Sequence, residues 1–325
     1  MTAPSVESLE DLRFVSVDAN RLPEVFELYE RAFGTSIDPR LWDWKFGQGR
    51  GIGVLAIKSG HVIAHYGGIV RQVLFEGESG RALMPADVMV APEERGVLTR
   101  NGVMKRTARY LFDRHLGEGR TCRLAVGFPT RRHRLLGERL GLYEDGGPLT
   151  ELVWNPVRRR GWAGLDVRIR ILDGSDRLTW CDAAWSQMRD DLKEHVVGVR
   201  DGRWLAHRYL DHPLKRYQVL GFVGAFGLSR LGVAVLHESE GELECLDLIA
   251  VRSRMPTLIK ALQGWMWQRG LSVLRLWLNE PFISELSSPD TQVIDRDMRI
   301  TVTTGIRSRD YARRWWVSGG DTDFR

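Results

Sequence analysis

The stretch from Asp87 to Leu142 reads DVMVAPEERGVLTRNGVMKRTARYLFDRHLGEGRTCRLAVGFPTRRHRLLGERLGL, and its apolar spacing decides the fold. A strand over Asp87–Val90 ends at Ala91-Pro92, and the polar turn Glu93-Glu94-Arg95-Gly96 follows. Met104, Thr107, Ala108, Leu111, Phe112 and Leu116 then recur at helical spacing, which predicts a helix from Thr99 to Leu116. A strand over Cys122–Val126 comes next, then a helix over Thr130–Leu140 that stops at Gly141, then a long strand over Leu142–Trp154. A helix that starts directly beyond a strand turns its free N–H groups and positive dipole end toward the strand's carboxyl edge. Such an end takes a pyrophosphate readily. Gly96 lets the backbone come close to a ligand, while Arg95 and Arg100 bring charge.

Working outward from this crossover, the preceding residues read as a short strand (Leu12–Val17), a helix (Arg21–Phe33) and a second helix (Pro39–Phe46). Strands over Gly53–Ile57, His61–Phe75 and Ala82–Val90 follow, with turns at Ser59-Gly60 and at Glu78-Ser79-Gly80, so the sheet is antiparallel here. Residues 156–180 read as an Arg/Gly-rich linker and an entry strand. The second half repeats the logic. Helices over Asp182–His195 and Gly202–Tyr209 precede strands over Tyr217–Phe226, Gly232–Glu238 and Leu243–Val251. A helix over Pro256–Arg269, a strand over Leu271–Leu278, a short helix over Pro281–Leu286 and strands near Thr291–Ile294 and Arg299–Thr303 complete it. Strand LECLDLIAV, helix and strand LSVLRLWL mirror DVMV, helix and CRLAV, which implies a structural duplication. The expected architecture is α/β: two tandem domains, residues 1–155 and 156–325, each a mixed, largely antiparallel sheet flanked by helices.

Composition narrows the function. The chain has 325 residues, with 43% hydrophobic and 27% charged, as in an ordinary globular protein. Cys122, Cys181 and Cys245 are odd in number and follow no metal spacing, which fits a reducing compartment. The longest apolar run, Val219 to Leu228, is far short of the ~20 residues of a membrane-spanning helix. The expected location is cytoplasmic, with no membrane partner and no metal. Formal net charge is +5, and Lys and Arg together number 47. Residues 95–134 hold eleven of these, ten of them arginine, against only Asp113 and Glu118, which points to an anion site.

At this point VMVAPEERGVLTRNGVMKRTARYLF and CRLAVGFPTRRHRLLGERLGL resemble the GNAT (GCN5-related N-acetyltransferase) superfamily. The element order over residues 12–145 is similar to that family's, and the second half matches by element order, as in tandem members. The resemblance implies acetyl-CoA, or another acyl-CoA, as cofactor. Val88, Met89 and Val90 would pair with the pantetheine amides. Backbone N–H groups of Arg95, Gly96, Val97, Leu98, Thr99 and Arg100 would hold the pyrophosphate. Thr130 takes the place of the family's asparagine. The sequence departs from the family pattern at Leu98 and Arg100, where glycines are expected, and at Gly137, where the acid tyrosine falls.

The amine must attack as a neutral nucleophile, so a base has to remove its proton. Asp87, on the strand before the loop, and His65, on the neighbouring strand, are the candidates. Tyr143, or a water, is the candidate acid in place of the missing tyrosine. Trp42 and Trp44 stand where the family lines its acceptor cleft, but tryptophan on a short helix is more often core. RYLDHP (Arg208–Pro213) and ARRWW (Ala312–Trp316) could face a cleft between the halves. The expected activity is direct acyl transfer to a small-molecule amine, for example an amino sugar. A non-catalytic acyl-CoA sensor is the alternative. Nucleic-acid binding is disfavoured, because no zinc spacing, aromatic RNA-binding motif or helix-turn-helix accompanies the arginines.

Overall fold

The tight hairpins of this chain turn on residue–glycine pairs. Ser59-Gly60, Glu76-Gly77 and Glu240-Gly241 all have positive φ at both positions, the backbone of a two-residue turn whose twist matches the flanking strands. A computed structural model describes residues 12–95, 102–158, 167–224, 227, 229–303, 305 and 307–323. In the first half these form β1 (Arg13–Ser16), α1 (Leu22–Phe33), α2 (Pro39–Phe46), β2 (Gly51–Lys58), β3 (His61–Phe75) and β4 (Glu78–Val90). Then come α3 (Val103–His115), β5 (Leu124–Gly127), α4 (Arg131–Arg139) and β6 (Tyr143–Trp154). The second hairpin turn lies earlier than the sequence reading placed it. Glu76-Gly77 is the pair that accepts positive φ, so Glu78 already opens β4 opposite Phe75.

The second half contains β7 (Val167–Ile171), α5 (Asp176–Asp191), β8 (Val196–Gly198), α6 (Gly202–Leu205), β9 (Gln218–Gly224), β10 (Arg230–Ser239) and β11 (Glu242–Ala250). It continues with α7 (Met255–Arg269), β12 (Val273–Asn279), α8 (Ile283–Leu286), β13 (Gln292–Ile294), β14 (Arg299–Thr303), α9 (Ser308–Arg313) and β15 (Trp315–Trp316). Helix α5 begins six residues before its expected start at Asp182, because Trp180 and Cys181 join Ala184, Trp185 and Met188 on its buried side.

The architecture is α/β, with a mixed sheet flanked by helices. The strand order is β1-β2-β3-β4-β5-β14-β6-β12-β11-β10-β9-β7. Both crossovers are parallel, β4 to β5 and β11 to β12. Connectivity passes the expected 155/156 boundary in both directions. Strand β14, from the second half, lies between β5 and the first part of β6. The last part of β6, from the first half, lies between β12 and β13. Each half is thus closed by a strand of the other.

The C-terminal segment continues this interlock. Asn279 donates to the Trp315 carbonyl at 2.5 Å, and its Oδ1 accepts from Val317 N at 3.0 Å. Ser318 bridges Leu278, so the tail runs where β11 and β12 diverge. Residues Trp315 to Thr322 are buried. Close approach requires glycine here: a Cβ on Gly320 would stand 2.1 Å from Tyr209 Oη. The cleft of the second crossover is therefore filled by the chain itself.

Candidate active site

In the first crossover the equivalent cleft is open. β4 and β5 pair only at Ala82 with Leu124 and Leu83 with Ala125. Beyond these pairs β5 turns its other edge to β14, and residues 84–90 of β4 have no ladder partner on the β5 side. The result is a cavity of about 910 Å³ between Met84–Val88 and Val90 on one wall and Ala125–Thr130 on the other. Its lining also includes the start of α3 (Gly102 to Lys105), Arg95, Arg132 and His133. Tyr29, Lys45, Asp321 and Asp323 line it as well, together with Tyr143. Among the described residues no side chain caps α3 and its first turn carries no acid, so its free N–H groups and dipole favour an anion there.

Of the residues proposed to hold a cofactor, Val88, Val90, Arg95 and Thr130 line this cavity. Met89 points the other way into the core, as strand alternation demands. The Arg95 guanidinium is tied to the carbonyls of Val90 at 2.9 Å and Ala32 at 2.6 Å, so it clamps the end of β4 to α1. Gly96, Val97, Leu98, Thr99 and Arg100 lie outside the described residues. The arginine cluster does not converge on one point. Arg123 pairs with Glu78, Arg134 with Glu138 and Arg131 with Asp297, while Arg114 lies over Tyr110. Among the described residues of 95–134, Arg95, Lys105 and Arg132 are the basic ones on the cavity wall.

Asp87 owes its position to a β-bulge. His65 opposes Met89 and Gly67 opposes Ala86, so Tyr66 faces two residues of β4, and Asp87 has φ 50°. Aspartate is among the side chains that tolerate this left-handed conformation. The bulged carbonyl of Asp87 accepts a hydrogen bond from His65 Nδ1 at 2.8 Å. A carbonyl can only accept, so Nδ1 carries the proton and Nε2 is bare. Nε2 has no hydrogen-bond partner and fits between two glycines, since a Cβ on either Gly53 or Gly67 would come within 2.7 Å of it. Trp42 and Phe46 wall the ring, and this burial lowers its pKa to about 4. His65 therefore sits behind β4, away from the cavity lining, as a neutral prop of the bulge. The two tryptophans of α2 are also packed: Trp42 stacks on Phe46, and Trp44 donates to the His207 carbonyl at 2.7 Å.

The side chain of Asp87 meets Lys45, whose Nζ lies 3.1 Å from both of its carboxylate oxygens and 3.1 Å from Asp323 Oδ2. Desolvation raises the Asp87 pKa, reinforced by the neighbouring Asp323 and opposed by Lys45. Lys45, although buried, is held above its ordinary value by the two carboxylates. Asp323 is brought here by a buried scaffold. Arg200 pairs with Asp247 at 2.9 Å and with Asp321, and Arg208 donates to the carbonyls of Gly320 at 3.0 Å and Thr322 at 2.8 Å. The cavity thus has a cationic end, at α3, Lys105 and Arg132, and an anionic end at Asp87 and Asp323.

Tyr143 lines the cavity, and its hydroxyl meets that of Tyr66 at 3.1 Å, with burial raising both pKa values. Its ring explains the glycine at 137. A Cβ there would fall 1.8 Å from Tyr143 Cε2, so the volume a tyrosine at 137 would need is taken by the ring of Tyr143.

Sequence reading missed Lys45, Asp321 and Asp323. Lys45 could have been found as the one lysine on an otherwise tryptophan-rich helix face. Nothing local marks the tail, which acts through partners more than a hundred residues away. Among the described residues no His, Cys, Asp and Glu grouping could hold a metal, and no helix is long and apolar enough to cross a membrane.

Comparison with known proteins bears on this geometry. Residues 13–137 match the family model for the acetyltransferase (GNAT) domain. A conserved Enterococcus faecalis protein described as a probable N-acyltransferase is similar in structure, with TM-score 0.68 and 14% identity over 90% of this chain and 72% of that one. A GCN5-related N-acetyltransferase from Kribbella flavida has TM-score 0.61 and 19% identity over 90% and 70%. Saccharomyces cerevisiae N-myristoyltransferase, solved with myristoyl-CoA and inhibitors, has TM-score 0.53 and 10% identity over 98% and 87%. At these identities the structural likeness speaks for the fold. Set against curated proteins by sequence, the chain finds no match.

Proposed function

We propose that this chain, an acyltransferase of the GNAT superfamily by its domain at residues 13–137, moves an acyl group from acyl-CoA, acetyl-CoA in the first instance, to a small-molecule amine. The observation that carries the proposal is the parting of β4 from β5 above the start of α3, which leaves a bare strand edge and a helix N-terminus on one cavity. The bare edge at Val88 and Val90 suits the amides of a pantetheine arm, and the α3 start with Lys105 and Arg132 suits phosphate. We assign the donor site to the first half alone, because the tail fills the second cleft. The two halves are then two GNAT-like units closed by exchanged strands.

When bound, acyl-CoA supplies an activated thioester. The chain's own groups have the remaining tasks. Asp87 takes the proton of the incoming ammonium on a carboxylate oxygen. Desolvation makes that carboxylate a stronger base, and Lys45 opposes the rise. The Tyr143 hydroxyl, hydrogen-bonded to Tyr66, would donate a proton to the leaving sulfur. His65 holds the bulge that aims Asp87.

Thermal-shift titration with CoA and acetyl-CoA tests the assignment. Both ligands should raise the melting temperature, and Lys105→Glu with Arg132→Glu should remove most of the shift. A wild type indifferent to both ligands overturns the donor site.

A further inference from the structure

The anionic end of the cavity has an apolar mouth. Among the described residues seven large apolar side chains are exposed, and two of them, Phe33 and Leu214, line this one cavity at 48% and 54% exposure. Single exposed apolar residues are common on protein surfaces, so position decides their meaning. Phe33 stands one turn beyond Tyr29 on α1, with ring centroids 4.7 Å apart, and Tyr29 lies near enough to Asp87, Lys45 and Asp323 to feel their charges. Leu214 reaches the same end by another route. Its N–H donates to His212 Nδ1 at 3.2 Å, and the His212 ring packs 4.4 Å from Trp44, the residue before Lys45. Elements far apart in sequence thus bring two exposed apolar groups to the cavity that holds these carboxylates.

Two carboxylates share one lysine at this end. Lys45 supplies one positive charge against both Asp87 and Asp323. Asp321 is already paired with Arg200 and Arg71. The two carboxylates sharing Lys45 are the acidic groups offered to an incoming ammonium.

Building on the acyltransfer reading, we infer that the acceptor is a primary amine carrying a compact aryl or alkyl group, its ammonium seated at Asp87 and Asp323 and its apolar part between Phe33 and Leu214. A polyhydroxylated amino sugar would place hydroxyls against these two apolar side chains. It is the poorer acceptor on this account.

The test compares 2-phenylethylamine with glucosamine by calorimetric binding to the full chain, with and without CoA. Wild type should bind 2-phenylethylamine at least about tenfold more tightly, the worth of partly burying a phenyl group. Phe33→Ala and Leu214→Ala should each shrink that preference severalfold, and Asp323→Asn should weaken binding of the amine. Equal or better binding of glucosamine overturns the inference. So does a preference that survives both substitutions, or an effect of Phe33→Ala confined to acyl-chain length in acyl-CoA titrations. Failure to bind either amine while CoA still raises the melting temperature refutes the acceptor subsite and leaves the donor site standing. Loss of the CoA shift refutes the latter.

Discussion

Replacing His65 by asparagine keeps an N–H where Nδ1 donates to the Asp87 carbonyl but removes the titrating ring, and this isolates one pH-dependent contribution to stability. Burial lowers the His65 pKa from 6.5 to about 4. Between these values the unfolded chain binds a proton that the folded chain refuses, so stability rises with pH across that window. The contribution is complete above pH 6.5 and is lost as pH falls toward 4, in total about 3 kcal/mol at 1.36 kcal/mol per unit. From about pH 7 to about pH 5 the wild type should therefore lose about 2 kcal/mol more than His65→Asn. His207 and His212, also lowered to about 4 by burial, titrate alike in both proteins and cancel from the difference. Denaturant titrations of both proteins at several pH values measure it. Parallel stability curves would refute the placement of His65 as a buried neutral prop, since only a ring that resists protonation produces the divergence.

Gly137→Ala should cost about 1–3 kcal/mol by forcing the Tyr143 ring aside, and equal unfolding midpoints for variant and wild type would contradict the packing. Lys45→Met removes the cation that lowers the Asp87 pKa, so the acid limb of kcat/KM should move to higher pH; an unmoved limb would remove Asp87 from the role of base. Tyr143→Phe should lower kcat about a hundredfold and leave the affinity for CoA nearly intact, and an unaltered kcat would exclude the hydroxyl as acid. Arg200→Ala leaves Asp247 and Asp321 buried without their shared partner and should cost about 3–5 kcal/mol, checked by denaturation.

Much of the cavity wall was legible in one dimension. The resemblance pointed to Val88, Val90 and Thr130, which line the cavity, and the stop of the following helix at Gly141 located the strand that carries Tyr143. Asp87 could be named from its strand, but not its bulge, because two residues facing one is a property of the pair of strands. His65, named as the second candidate base, is off the cavity lining for a related reason: alternation gives two faces, and the partner strand decides which face looks onto the open space.

The sequence by itself determined the α/β class and the strand–helix–strand order of both crossovers, since helical and strand periodicities, glycine turns and helix ends act over a few residues. Only the tertiary structure decided how the halves close and what stands at the anionic end. The segments that form β6 and β14 read as strands anywhere, and their exchange is set by which edges remain unpaired once both sheets exist. Lys45, Asp87 and Asp323 are likewise ordinary charges along the chain. They become a site because the buried Arg200 and Arg208 hold the tail against a helix almost three hundred residues away, and burial there makes each charge depend on the others.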